Sequence, residues 1–162
     1  TLIDIIKCEI MLAVVRVSGK AGLEKDVKDT LKMLRLDAPH NCVIIPDTPD
    51  YKGMAEKVRD HVTYGEIDKK TFVEMLRKRL RSSNNEKIAE SSLKTLTGHN
   101  SHEELADDLL AGKVRLSNFK KLQPTLRLTP PSKGFKSIKS HYPEGDLGYR
   151  GNAINSLLER MI

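Results

Sequence analysis

A chain of 162 residues is long enough for one compact domain or two small ones, and for a buried core of ordinary size. Hydrophobic residues at 38% beside charged residues at 31% exclude a disordered tail or a fibre, and no apolar run reaches the roughly 18 residues that a membrane-crossing helix needs. Lys and Arg outnumber Asp and Glu by 28 to 22, a net charge of +6 that favours a polyanionic partner.

Two cysteines, Cys8 and Cys42, cannot make a disulfide framework and have no second ligand at metal spacing, which points to a reducing compartment. The first ten residues, TLIDIIKCEI, are too short and too charged for a signal-peptide core. Met11 stands directly before a strand pattern, so residues 1–10 are expected to be an N-terminal extension of a protein that functionally starts at Met11.

From there the elements follow in order. Leu12 to Val17 is a short apolar, β-branched run closed by Ser18-Gly19, which predicts a buried strand and a turn. Leu23, Val27, Leu31 and Leu34 recur at helical spacing and predict an amphipathic helix over 23–35, with Pro39 as its stop. Cys42 to Ile45 predicts a second buried strand, ended by Pro46, and two strands flanking a helix suggest a split βαβ unit. Thr48-Pro49-Asp50 supplies a cap oxygen, a proline at the first helical position and a carboxylate in the first turn. A second helix is expected from there to Tyr64-Gly65, with Tyr51, Met54, Ala55, Val58 and Val62 on one face.

Between residues 66 and 118 the periodicity is helical only, as if inserted. Helices are predicted at 69–81 and around 86–96, and a third opens with the Ser101/Glu104 capping box and ends at Gly112. The charge then reverses: from Lys113 to Tyr142 there are eight cations and no carboxylate. Thr125 to Thr129 alternates as a strand ended by Pro130-Pro131, and Ile154, Leu157, Leu158 and Met161 define a last helix entered through Gly148-Tyr149-Arg150-Gly151.

Catalytic chemistry finds little footing. His99 and His102 beside Glu103 and Glu104 lack a third fixed ligand and read as a solvated helix start, and Asp47 and Asp50 are accounted for by capping. There is no nucleophile elbow and no phosphate-binding glycine motif, so no cofactor and no small-molecule substrate are called for. The Gly148–Gly151 turn fits either close approach to a phosphate, with Arg150 forking onto its oxygens, or an ordinary flexible turn. The loop Pro131 to Lys139 repeats cations at three-residue spacing, Lys133, Lys136 and Lys139, which a phosphate backbone would neutralise. A merely solvated face is the competing reading. With 4% aromatic residues and no Trp, recognition of backbone shape is favoured over base stacking.

Several ordered stretches carry a resemblance: Asp29 to Leu36 (DTLKMLRL), Val43 to Met54 (VIIPDTPDYKGM), Val62 to Ile67 (VTYGEI), Pro130 to Lys136 (PPSKGFK) and Gly148 to Ile154 (GYRGNAI). Over residues 11–162 the chain resembles the archaeal and eukaryotic long form of large-subunit ribosomal protein thirty. The resemblance implies an α/β fold, a small ferredoxin-like split β-α-β core (11–65 with 119–162) carrying an all-helical insertion (66–118). It also implies a cytoplasmic place in the large ribosomal subunit, with 23S-type rRNA near the 5S rRNA region and neighbouring ribosomal proteins as partners, and no catalytic activity. Matched to its motifs, Lys32, Arg35, Tyr51, Lys52, Lys133, Lys136, Tyr149 and Arg150 become candidate RNA contacts, and the basic stretch adds Arg127 and Lys139. A free RNA-binding regulator outside the ribosome is the alternative. Asp146 stands where the resemblance leads one to expect a neutral residue.

Overall fold

The computed structural model describes residues 10–162, so the extension expected at 1–10 lies, except for Ile10, outside the described residues. In chain order the elements are β1 (Met11–Arg16), α1 (Lys25–Met33), β2 (Asn41–Pro46), α2 (Pro49–Lys57), β3 (Val62–Glu66), α3 (Lys69–Arg79), α4 (Glu90–Thr97), α5 (His102–Leu110), β4 (Leu126–Arg127), β5 (Gly148–Tyr149) and α6 (Ala153–Met161). The strands form one sheet in the order β4-β2-β1-β3-β5. β5 runs parallel to β3, and the other neighbours are antiparallel.

This α/β sheet is covered on both sides, which is why β1 is buried at all six positions instead of alternating. Leu12, Val14, Val43, Ile45, Val62 and Tyr64 face α1 and α2. Ala13, Val15 and Cys42 face a second apolar cluster with Phe72, Met75, Leu105, Leu109, Leu157 and Leu158. The helices of the 66–118 stretch therefore share their core with α6 and the sheet. Asn155, buried on α6, accepts the Asp68 N–H at 2.8 Å and donates to the Glu66 carbonyl at 3.1 Å, tying α6 to the start of α3.

Three expectations change. The split unit is not built from the first two strands: β1 and β2 pair directly, and β1 lies between β2 and β3, which share a direction and are joined by α2. α2 ends at Lys57, and Val62–Glu66 is a strand in place of the helix end predicted to Gly65. Positions 51, 54, 55, 58 and 62 suit one helix face, but Val62 and Tyr64 also suit alternation, and pairing with β1 and β5 decides it. α1 stops at Met33, well before Pro39, because Arg35 takes a left-handed φ of 60°. The Arg35 N–H then bonds the Lys32 carbonyl and the Leu36 N–H the Leu31 carbonyl, a Schellman closure without glycine.

Candidate nucleic-acid interface

The segment from Leu128 to Leu147 crosses from the β4 edge to the β5 edge over one end of the sheet. Its first margin is fixed by backbone bonds: Leu128 N–H to His40 O at 3.1 Å, Thr129 N–H to Met161 O at 3.1 Å and Ser132 N–H to Arg160 O at 3.0 Å. Phe135 stacks on the His40 ring, with centroids 5.9 Å apart and planes 9° apart. At the second margin His141 Nε2 lies 2.9 Å from Asp60 Oδ1, and the Tyr142 N–H bonds the Leu147 carbonyl at 2.9 Å.

Asp146 ties the two halves together. Its carboxylate accepts the Lys136 N–H and, 2.9 Å away, Arg150 Nη2. Both side chains are buried, 4% and 7% exposed, and the Tyr142 ring lies 5.1 Å from the Arg150 guanidinium carbon. Arg150, expected as a phosphate contact at the surface, thus directs its guanidinium into the protein. The acidic residue at 146, out of keeping with the resemblance, is the counter-charge to it.

Held in this way, the segment presents Lys133, Lys136 and Lys139 to solvent. Lys133 and Gly134 both take left-handed φ values, 67° and 71°, which fold the backbone back at the tip. Among the described residues Lys136 Nζ reaches only the Pro143 carbonyl, at 3.2 Å. Arg127 is exposed on β4, across the ladder from Asn41 and next in sequence to Leu128, which bonds His40, so it shares this end of the sheet with the three lysines.

The remaining candidates lie elsewhere. Lys52 is exposed at the start of α2 but paired with Asp47 at 2.7 Å. Thr48 caps that helix by accepting the Tyr51 N–H, which leaves the Tyr51 ring half-buried against the α1/α2 cluster. Tyr149 is 53% exposed. Its hydroxyl donates to Glu66 Oε1 at 2.5 Å, a bond that, with burial, raises the phenol above its ordinary range. Its ring sits 5.6 Å from that of Tyr64. Lys32 and Arg35 are exposed on α1 and its C-terminal turn, and the Arg35 carbonyl accepts the Thr125 hydroxyl at 3.1 Å just before β4.

Sequence reasoning missed three arginines that build this surface from behind. Arg160 Nη1 lies 3.4 and 3.3 Å from the Ser132 and Gly134 carbonyls and holds the lysine-bearing tip to α6. Arg79 Nη2 bonds the Ile162 carbonyl at 2.6 Å. Arg16, 3% exposed, gives its donors to the carbonyls of Leu36, Ser18 and Gly19. Nothing in the spacing of an isolated arginine reveals that carbonyls will surround it. Among the described residues no group of three or more His, Cys, Asp or Glu converges as a metal site, and His99 instead faces Asp108 at 2.9 Å.

The model of the ribosomal protein L30p/L7e family matches residues 12–62. Similar proteins include the large ribosomal subunit protein uL30 of Archaeoglobus fulgidus, 47% identical over 151 residues that cover 93% of this chain and 99% of that protein. Those of Methanocorpusculum labreanum and Nanoarchaeum equitans are 44% and 45% identical, over 93% and 94% of this chain and 99% of each relative.

Proposed function

Because the chain belongs to the large ribosomal subunit protein uL30 family, we propose that it is a structural constituent of the large ribosomal subunit in the cytoplasm, binding 23S-type rRNA near the 5S rRNA region. The observation that carries the RNA contact is the segment Leu128 to Leu147. Its one buried carboxylate is consumed inside the protein by Arg150 and the Lys136 N–H, while Lys133, Lys136 and Lys139 project without a carboxylate partner among the described residues.

Unneutralised cations on a fixed backbone repel one another in water and gain from releasing the counterions condensed on phosphate. Arg127 extends this patch, and Lys32 and Arg35 make a second one on α1. Lys52 and Tyr51 make a third at the α2 start, and Tyr149 offers a half-exposed ring on β5. Arg150 serves as a positioning residue that fixes the segment. Contacts of this kind read the shape of folded RNA and hold neighbouring rRNA helices that would otherwise repel. In this reading residues 66–118 are a helical insertion packed onto the RNA-binding core.

Sedimentation through sucrose after a high-salt wash tests the assignment. Co-migration with the large subunit is the expected result, and recovery in the light fractions alone would instead indicate a free RNA-binding regulator.

A further inference from the structure

The face opposite the α3/α6 layer carries a groove of different character from the cationic patches. α1 and α2 lie side by side over the sheet and leave a hollow of about 550 Å³ between them. Its apolar side chains are Met33, Met54 and Pro49. Met33 is 73% exposed, the most exposed of the large hydrophobic residues among those described. A Cβ built on Gly53 in the same hollow meets no atom within 4 Å, so the space above α2 is open.

Around these apolar groups stand Asp26, Asp29 and Asp50, against one cation, Lys57. All three carboxylates are exposed, and among the described residues none makes an ion pair. Asp26 and Asp50 sit in the first turns of their helices, where the macrodipole favours them. That accounts for two of the three, and for none of the uncovered methionine surface. On a chain of net charge +6 this is a local reversal of sign, and a phosphate backbone brought against it would be repelled.

We propose that the α1–α2 groove docks a basic polypeptide segment of a neighbouring ribosomal protein, its Lys or Arg side chains meeting Asp26, Asp29 and Asp50 and its aliphatic parts covering Met33 and Met54. The inference rests on the ribosomal assignment above. From residue 26 to residue 33 the helix rises about 10 Å, which matches about three residues of extended chain. The motif that fits is therefore two cations two residues apart, on one face of the extended segment, whose aliphatic stems lie over the methionines. Methionines suit such a role because their flexible, polarisable side chains adapt to the apolar stems of Lys and Arg.

The test uses large subunits purified from cells expressing this protein with Met33→Cys, Cys8→Ser and a benzophenone photo-crosslinker on the new thiol. Mass spectrometry of the irradiated particle is expected to identify a crosslinked peptide from one ribosomal protein carrying that Lys/Arg pattern. Adding Asp26→Asn, Asp29→Asn and Asp50→Asn is expected to lower its yield about fivefold, the effect of losing several exposed pairs together. Gly53→Phe, which fills the open space and improves helix propensity, is expected to abolish it. A crosslink to RNA, a crosslinked peptide without cations, or a yield unchanged in both variants overturns the docking. Failure of the parent protein to enter large subunits overturns the ribosomal assignment, and the docking with it.

Discussion

Replacing Asp146 with Ala strands a buried positive charge. The carboxylate is 4% exposed, accepts Arg150 Nη2 at 2.9 Å and is the only carboxylate paired with Arg150 among the described residues. Arg150 Nε and Nη1 are already without hydrogen-bond partners, so no second acceptor takes over, and the Tyr142 ring at 5.1 Å offers only its face. Removing one member of a buried ion pair costs about 3–5 kcal/mol, because the other is left desolvated and unpaired. At about 2–4 °C per kcal/mol for a chain of this size, the melting temperature is expected to fall by roughly 6–20 °C. Asp146→Leu with Arg150→Met removes both charges and is expected to recover most of that loss, short of about 1 kcal/mol for the Lys136 N–H that loses its acceptor. Circular-dichroism melts at fixed protein concentration measure all three proteins. A single-variant shift smaller than about 3 °C, or a double variant worse than the single, refutes the buried-pair account. So does an Arg150→Met protein that melts normally yet binds RNA more weakly, since its guanidinium would then be facing phosphate.

Other consequences are as direct. A Cβ at Gly65 would lie 2.1 Å from the Gly151 carbonyl oxygen, so Gly65→Ala forces β3 away from the turn before α6 and is expected to cost about 1–3 kcal/mol or more, read as a lower urea midpoint. Substituting Lys133, Lys136 and Lys139 together by Ala is expected to leave the melting temperature within a few degrees of the parent and to reduce the slope of log affinity against log salt by about 2–3, at 0.7–0.9 per phosphate contact; an unchanged slope removes this segment from the interface. Burial pushes the Cys42 thiol up to about 12, so in a Cys8→Ser protein iodoacetamide at pH 8 is expected to label Cys42 only on unfolding. Rapid labelling of the folded protein would show that the sheet face around Cys42 is open.

Where local chemistry decided the structure, the sequence was readable. Thr48-Pro49-Asp50 opens α2, and Ser101 caps α5 by accepting the Glu104 N–H, because caps act through residues within one turn. The apolar stripes of α3 and α6 bury the residues their spacing selects. What spacing left undecided was settled by distant partners. Val62–Glu66 becomes a strand because β1 and β5 pair with it, and Gly148–Tyr149 becomes β5 because Thr63 and Tyr64 lie alongside. Gly148 serves this crowding as well: the His141 ring lies 3.0 Å from where its Cβ would sit. At the candidate interface the basic run singled out the Lys133 to Lys139 stretch, but the sign of a residue does not disclose which way it points. Arg150 turns inward and Lys133 outward, according to where a carboxylate, Asp146, happens to be buried.

That difference decides how charge becomes binding. Cations already satisfied inside the protein release few counterions when RNA arrives, because their partner must first be given up. Arg16 is spent on three carbonyls, Arg150 on Asp146, and Lys52 is shared with Asp47. Of the candidate contacts, Lys32, Arg35, Arg127, Lys133, Lys136 and Lys139 are exposed with no carboxylate partner among the described residues, so within that set they carry the available charge. Four of the six stand at one end of the sheet, Arg127 on β4 and the three lysines on the Leu128 to Leu147 segment, whose backbone is anchored to α6 and His40 and tied across itself by Asp146. Anchoring matters as much as charge, since a flexible basic loop would surrender chain entropy on meeting RNA, whereas this one has lost that entropy on folding. In the proposed interface the internal arginines thus serve RNA binding without touching RNA. They hold the free lysines in a fixed arrangement that an irregular phosphate surface can match.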